Sequence, residues 1–268
     1  MKAAVVTGAN SGIGLETARG LVQAGYRTIL FCRNPDKAAA AQADIGGTSE
    51  VVIGDLGSIA SVKAAAAEIR SRLEQLDVLV NNAGITVRKP ERNADGNDVM
   101  LATNHLGPML LTEELRPLLE AMPGARVVNL ASEAHKFSKL HLDDLQATRG
   151  YGFLGMQRYG ETKLMNILTT RQQAKRYPFR CNCVHPGAVA TNLGDQPRVL
   201  RPLVRLLLSS PTKGAATSLS AALDPRWADV TGTYFVKSKP ADQKLKDYAK
   251  DDESGSKLWD ASAELLGF

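Results

Sequence analysis

The sequence predicts an α/β fold, a doubly wound parallel sheet with helices on both faces, in a single domain. Three observations predict it. Strand-like and helix-like segments alternate almost from end to end of the 268 residues. The strand-like segments are short, continuous apolar runs, as burial on both faces requires, and not alternating ones. Glycine and polar residues gather where the strands end, the side on which such sheets bind ligands.

The elements follow in order. Ala3 to Val6 is the first strand and Leu15 to Ala24 the first helix. Arg27 to Cys32 is a second strand, and the alanine-rich Pro35 to Asp44 a helix. Glu50 to Ile53 is a third strand, before a helix over Ser58 to Leu73 with Ser58 as N-cap. Asp77 to Val80 is a fourth strand, and one helix runs over Val99 to Leu119. Arg126 to Leu130 is a fifth strand, followed by a long irregular stretch from Glu133 to Met156. Tyr159 to Arg176 is a helix and Arg180 to Val184 a sixth strand. Pro211 to Leu223 is helical, Gly232 to Val236 the last strand, and Ser254 to Leu266 a closing helix.

Composition bounds the function. Hydrophobic residues at 44% and charged residues at 23% are ordinary for a globular chain, and a core of this size needs no metal or disulfide. A net charge of +5 without a long basic tract argues against nucleic acid. The cysteines Cys32, Cys181 and Cys183 are odd in number, with no Cys/His cluster beside them. They read as small apolar residues in a reducing compartment, and no metal site is expected. The first strand begins close to Met1, so no signal or anchor is expected before it, and no apolar run could span a bilayer. A soluble, cytoplasmic protein is expected, without stable membrane insertion.

The first strand runs into Thr7-Gly8-Ala9-Asn10-Ser11-Gly12-Ile13-Gly14. Strand, glycine turn and helix place a helix N-terminus against a phosphate, with Gly8, Asn10, Ser11, Gly12, Ile13 and Gly14 around it. A bland tight turn has the same look. Arg33 ends the second strand, where an acidic residue would hold the ribose hydroxyls of NAD. An arginine suits the 2′-phosphate of NADP(H), helped by Asn34 and Lys37. Asp55, followed by Leu56, could accept from the adenine amino group or serve as a cap for the Ser58 helix. Asn82, Ala83 and Gly84 could line ribose and pyrophosphate. Pro186, Gly187, Val189 and Thr191, after the sixth strand, complete the expected cofactor-binding set.

Tyr159 and Lys163 lie at i and i+4 and share a helix face. An ammonium about 5 Å from a phenol, at an effective dielectric of about 20, stabilises the phenolate by roughly 3 kcal/mol, or about 2 pKa units. On that ground Lys163 is expected to lower the Tyr159 pKa into the range of a general acid or base. Lys163 could also hold the ribose hydroxyls. Ser132 sits past a strand end, where its hydroxyl could polarise a carbonyl or cap a turn. Asn104 could hold a water connecting Lys163 to solvent, or be a buried amide satisfying backbone groups.

Together, Thr7-Gly8-x-x-x-Gly12-Ile13-Gly14, Asn81-Asn82-Ala83-Gly84, Asn104, Ser132, Tyr159-x-x-x-Lys163 and Pro186-Gly187 resemble the short-chain dehydrogenase/reductase family over nearly the whole chain. The resemblance implies a Rossmann-type sheet, a catalytic tetrad of Asn104, Ser132, Tyr159 and Lys163, and hydride transfer from C4 of a nicotinamide. Phe31 to Asn34, Glu133-Ala134-His135, Tyr159 to Asn166, His185-Pro186-Gly187, Lys213 to Thr217 and the closing stretch from Leu258 look like the retinol-dehydrogenase-like branch. That branch mostly prefers NADP(H), in agreement with Arg33. It often carries two serines where this chain has Ala131-Ser132.

The expected activity is NADP(H)-dependent hydride transfer between nicotinamide and a lipophilic aldehyde, ketone or alcohol. The alternatives are a C=C reductase of the protochlorophyllide-reductase type and a non-catalytic NADP-sensing regulator. Residues up to about 125 would form the cofactor half, and 126–268 the catalytic and substrate half, as a monomer or homodimer. A lid is expected over about 188–212, apolar through Val199, Leu200, Leu203, Val204 and Leu206 to Leu208, with Arg198, Arg201 and Arg205 between. It could instead touch an anionic membrane surface, or be an ordinary packed helix. Tyr151, Phe153 and Met156 could contact substrate or pack the long connection down.

Overall fold

The structure, a computed structural model, describes residues 1–187 and 210–268. β1 (Ala3–Thr7), β2 (Arg27–Cys32) and β3 (Ser49–Ile53) alternate with α1 (Gly12–Gln23), α2 (Pro35–Ile45) and α3 (Ile59–Arg72). Asn34 caps α2 by accepting from the Lys37 N–H at 2.9 Å, and Ser58 caps α3 as its position predicts. β4 (Val78–Asn81) follows.

The single helix expected over 99–119 is broken. It divides into α4 (Val99–Leu101), a π turn (Ala102–Leu106), α5 (Gly107–Glu114) and α6 (Arg116–Glu120). Proline explains both breaks. Pro108 and Pro117 sit in the first turns of α5 and α6, and neither has an N–H for the preceding turn.

β5 (Arg126–Leu130) leads into the long connection, which is three short 3-10 turns and not regular structure. α7 (Met156–Arg176), β6 (Arg180–His185), α8 (Pro211–Leu223), β7 (Tyr234–Val236), β8 (Lys239–Pro240) and α9 (Asp252–Leu266) complete the described chain. β8 has no counterpart in the expected elements. It is a two-residue edge strand carrying Pro240, too short to leave a pattern.

The eight strands lie in the order β3-β2-β1-β4-β5-β6-β7-β8, with every pairing parallel except β7–β8. The chain runs outward from β1 to β3, then returns to place β4 on the other side of β1. The strand order therefore reverses between β1 and β4, and the crevice beyond their carboxyl ends is where such sheets take ligands. Burial on both faces is visible along β1. Ala3 and Val5 join a core with α3, α5, α7 and α9, while Ala4 and Val6 join one with α1, α2 and α8. This is why the strands are unbroken apolar runs.

Candidate active site

The loop after β1 forms a cradle at the β1/β4 crevice. Gly8 has φ +66° and Gly12 φ +56°, in the left-handed region that favours glycine. Gly14 is required by space, because a Cβ there would collide with the Gly8 carbonyl oxygen and the Asn82 side-chain nitrogen. Thr7 pins the loop to β4, its Oγ1 accepting from the N–H groups of Asn82 at 2.9 Å and Ala83 at 3.0 Å. Asn82 answers with its side-chain nitrogen on the Thr7 carbonyl at 2.8 Å. The Asn82 amide thus braces the loop. Ser11 takes the N-cap position of α1, but its side chain makes no capping bond. The first-turn N–H groups of α1 are left for an anion. A glycine cradle in which a Cβ would not fit, opening on uncapped helix N–H groups, fits a dinucleotide pyrophosphate.

At the far end of the crevice Arg33 is 72% exposed, with a nitrogen 3.8 Å from Asp55 Oδ2. Asp55 Oδ1 accepts from the Gly57 N–H at 2.8 Å, so one oxygen holds the turn while the other faces the arginine. Leu56 is buried, its carbonyl packed where a Cβ on Gly107 would stand. Pro186 and Gly187 close β6, with Gly187 at φ +90° and open space beside it. Val189, Thr191 and the lid segment through Ser209 lie outside the described residues, and the described end of that segment, Ser210 to Thr212, is the N-cap and first turn of α8.

The chemical groups meet at the ends of β5 and α7. Ser132 follows β5, and its Oγ accepts from the Ala134 N–H at 3.2 Å, capping the next turn. Its hydroxyl is also close enough to that of Tyr159 to draw the Tyr159 pKa downward. Lys163 lies one turn on, with Nζ 5.5 Å from the Tyr159 ring centre and donating to the Leu130 carbonyl at 3.1 Å. A Cβ on Gly84 would stand 3.3 Å from Nζ, so the missing side chain keeps the ammonium reachable from the cradle.

The electrostatics correct one expectation. Lys163 does not pull the Tyr159 pKa down. Burial pushes Tyr159 up to about 12, against a smaller downward pull from the Ser132 hydroxyl. Burial likewise pushes Lys163 down to about 8. Both side chains are almost wholly out of water, so desolvation of the charged form outweighs the attraction between them.

The Asn104 side chain takes the second of the two roles open to it, a buried amide that satisfies backbone groups. Its side chain is fully engaged: Oδ1 accepts from the Ile85 N–H at 2.7 Å, and Nδ2 donates to the Ile85 carbonyl at 2.9 Å and Thr162 Oγ1 at 3.1 Å. The residue lies in the π turn, and the usual helical donor to its carbonyl would be residue 108, a proline. The backbone carbonyl there lacks a donor at the ordinary helical spacing. Pro108 was the sequence signal for this.

Tyr151 packs the connection down, buried with its hydroxyl on Asp98, whereas Phe153 and Met156 are exposed with Phe137 and Leu154 around the rim. Sequence reasoning passed over Arg158, Asp98 and Glu161, which form a buried ion cluster beside Tyr159. Asp98 and Arg158 are 60 positions apart in sequence, and no motif connects them.

Comparison with known proteins agrees with this geometry. The profile of the short chain dehydrogenase family matches residues 2–144. The chain belongs to this family. Bovine (Bos taurus) retinol dehydrogenase 12 is 38% identical over 99% of this chain and 86% of its own. Human (Homo sapiens) retinol dehydrogenase 14 is 34% identical with the same coverage. A solved structure of an uncharacterised protein from Mycobacterium paratuberculosis superposes with a TM-score of 0.82 at 29% identity, covering 100% of this chain and 94% of that one. The family is one of oxidoreductases that use a nicotinamide cofactor. Among the described residues no helix is long and apolar enough to cross a membrane.

Proposed function

We propose that this chain is an NADP(H)-dependent oxidoreductase acting on a lipophilic aldehyde, ketone or alcohol, with Asn104, Ser132, Tyr159 and Lys163 as its catalytic set. The observation that carries the reading is the meeting of Ser132, Tyr159 and Lys163 at the end of a cradle shaped for a dinucleotide. Similarity to two retinol dehydrogenases supports a lipophilic alcohol or carbonyl compound. The exposed Phe137, Phe153, Leu154 and Met156 give the rim an apolar surface suited to such a substrate. Arg33, exposed at the end of β2, supports NADP(H) over NAD(H).

A nicotinamide bound in the cradle supplies or accepts the hydride. The chain does the rest. Ser132 and Tyr159 donate hydrogen bonds to the carbonyl oxygen, and Tyr159 gives up its proton as the alkoxide forms. Its raised pKa keeps the phenol protonated at neutral pH, the form that reduction needs. Lys163, charged below about pH 8, faces Gly84 and presents its ammonium to the ribose side of the cradle. A water held near Asn104 returns protons from solvent.

The test is oxidation of NADPH against a panel of aldehydes, ketones and quinones, repeated with NADH. NADPH with aliphatic or aromatic carbonyls is the expected pair, and a clear preference for NADH overturns the Arg33 reading. Tyr159→Phe is expected to abolish turnover while leaving NADPH binding nearly intact. Retained turnover in that variant rejects the mechanism.

A further inference from the structure

Arg158 immediately precedes Tyr159 on α7 and is 1% exposed at its side chain. Its guanidinium has three partners, one on α7 itself and two on other elements. Nε donates to Asp98 Oδ1 at 3.0 Å, Nη1 to Glu161 Oε2 at 2.8 Å, and Nη2 to the Leu145 carbonyl in the long connection. Asp98 is itself the N-cap of α4, its Oδ1 accepting from the Leu101 N–H at 2.8 Å, while its Oδ2 accepts from the Tyr151 hydroxyl. Glu161 Oε1 accepts from the His141 N–H at 2.8 Å. Stability alone is a poor reason for this cluster, since buried ion groups seldom outperform well-packed apolar residues. What the cluster has is direction. A planar fork binds each partner along one line, and the partners sit on the helix leading to Asn104, on α7, and on the rim. A second tie between the same helices, Asn104 to Thr162, lies on the other side of Tyr159 in sequence.

We infer that Arg158 is a positioning residue: through Asp98, Glu161 and the Leu145 carbonyl it sets where α7 presents Tyr159 relative to the Asn104 turn and the rim. The inference rests on Tyr159 being the proton donor. A displacement of about 1 Å at a reacting group costs on the order of a hundredfold in rate, so a rigid fork next to the donor has kinetic value.

Asp98→Asn tests this without unbalancing the interior. Asn keeps the volume and the N-cap, and it leaves Arg158 and Glu161 as a one-to-one buried pair in place of one cation facing two carboxylates. The expected result is a fall in kcat of about 10-fold to 100-fold, with the NADPH dissociation constant within about twofold and the thermal midpoint unchanged or higher. A merely structural role predicts that turnover follows stability. A kcat within about twofold of wild type, or a kcat loss matched by losses in melting and NADPH binding, overturns the inference. Should Asp98→Asn fail to fold, Arg158→Lys decides on the same criteria, because a single ammonium cannot span the three partners. Tyr159→Phe in parallel separates the failures. If that variant turns over, the reading of Tyr159 has failed and the inference falls with it; if it is inactive and Asp98→Asn is not impaired, the inference alone falls.

Discussion

Two cations lie five residues apart on α7, and both are almost wholly buried. Arg158 is surrounded by two carboxylates and a carbonyl. Lys163 donates to the Leu130 carbonyl and has no carboxylate partner among the described residues. Burial drives the lysine toward neutrality, down to about 8. The difference separates a charge used to hold the fold from a charge kept available. A buried cation matched by anions is locked in place, and its field is cancelled locally. A buried cation facing only a neutral oxygen is costly to keep, and its field reaches whatever enters the cleft. The same helix does both within two turns.

The largest effect should come from removing the matched cation. Arg158→Met leaves Asp98 buried with no counter-charge and Glu161 with only the half-exposed His141 ring beside it, and should destabilise the protein by about 3–5 kcal/mol, read as a lower urea midpoint. A loss below about 1 kcal/mol would break the comparison, because it would mean that the carboxylates never needed the guanidinium. Lys163→Met should do the reverse. The Leu130 carbonyl keeps Asn166 at 3.0 Å, and no anion is left alone. Turnover should fall about a thousandfold, in the range of general acid–base effects, with the thermal midpoint held or raised. A drop in midpoint like that of Arg158→Met would place both cations in the same class.

The contrast also explains what the sequence discloses. The parallel sheet was legible because two-sided burial forces unbroken apolar runs such as Ile29 to Cys32. The glycine cradle was legible because Gly8, Gly12 and Gly14 answer local demands of dihedral and space within seven residues. Tyr159 and Lys163 were legible because helical periodicity fixes their shared face. Arg158 was not, because its meaning depends on Asp98, brought to it by the fold. The pKa direction of Tyr159 was misjudged for a related reason. Spacing gives the distance between two charges, while the desolvation that outweighs it is set by all that packs around them. The π turn at Asn104 had a local cause in Pro108, which helical periodicity alone passed over.

Arg33 extends the comparison to a cation that is neither buried nor matched. It is mostly exposed, and 3.8 Å from Asp55 is a loose pairing in water. Its charge is free for a ligand phosphate. Arg33→Ala should raise the KM for NADPH by about 10-fold to 100-fold, the equivalent of about 1.5–3 kcal/mol for hydrogen bonds to a charged group. The KM for NADH should stay within about twofold. Equal losses with both nucleotides would show that Arg33 shapes the loop and does not read the phosphate.

The smallest effect follows from Lys163 alone, and its sign can be worked out. Burial lowers its pKa from 10.5 to about 8, so the ammonium is present below that pH and lost above it. Tyr159, at about 12, stays protonated throughout the neutral and mildly alkaline range. His185, pushed down to about 4 by burial, is neutral there, and Glu133 beside Lys136 is held below the usual carboxylate range and stays ionised. Among the described residues, Lys163 is therefore the group facing the cradle expected to change charge between pH 6 and pH 10. The kcat/KM for carbonyl reduction reports the free enzyme, so it should be flat below pH 7, halve near pH 8 and fall about tenfold per unit above it. The Arg158 cluster acts on the position of Tyr159, so Asp98→Asn should lower the whole profile without moving its midpoint. A profile flat to pH 10 would mean that Lys163 keeps its proton despite burial, and the two cations of α7 would differ in their partners but not in their chemistry.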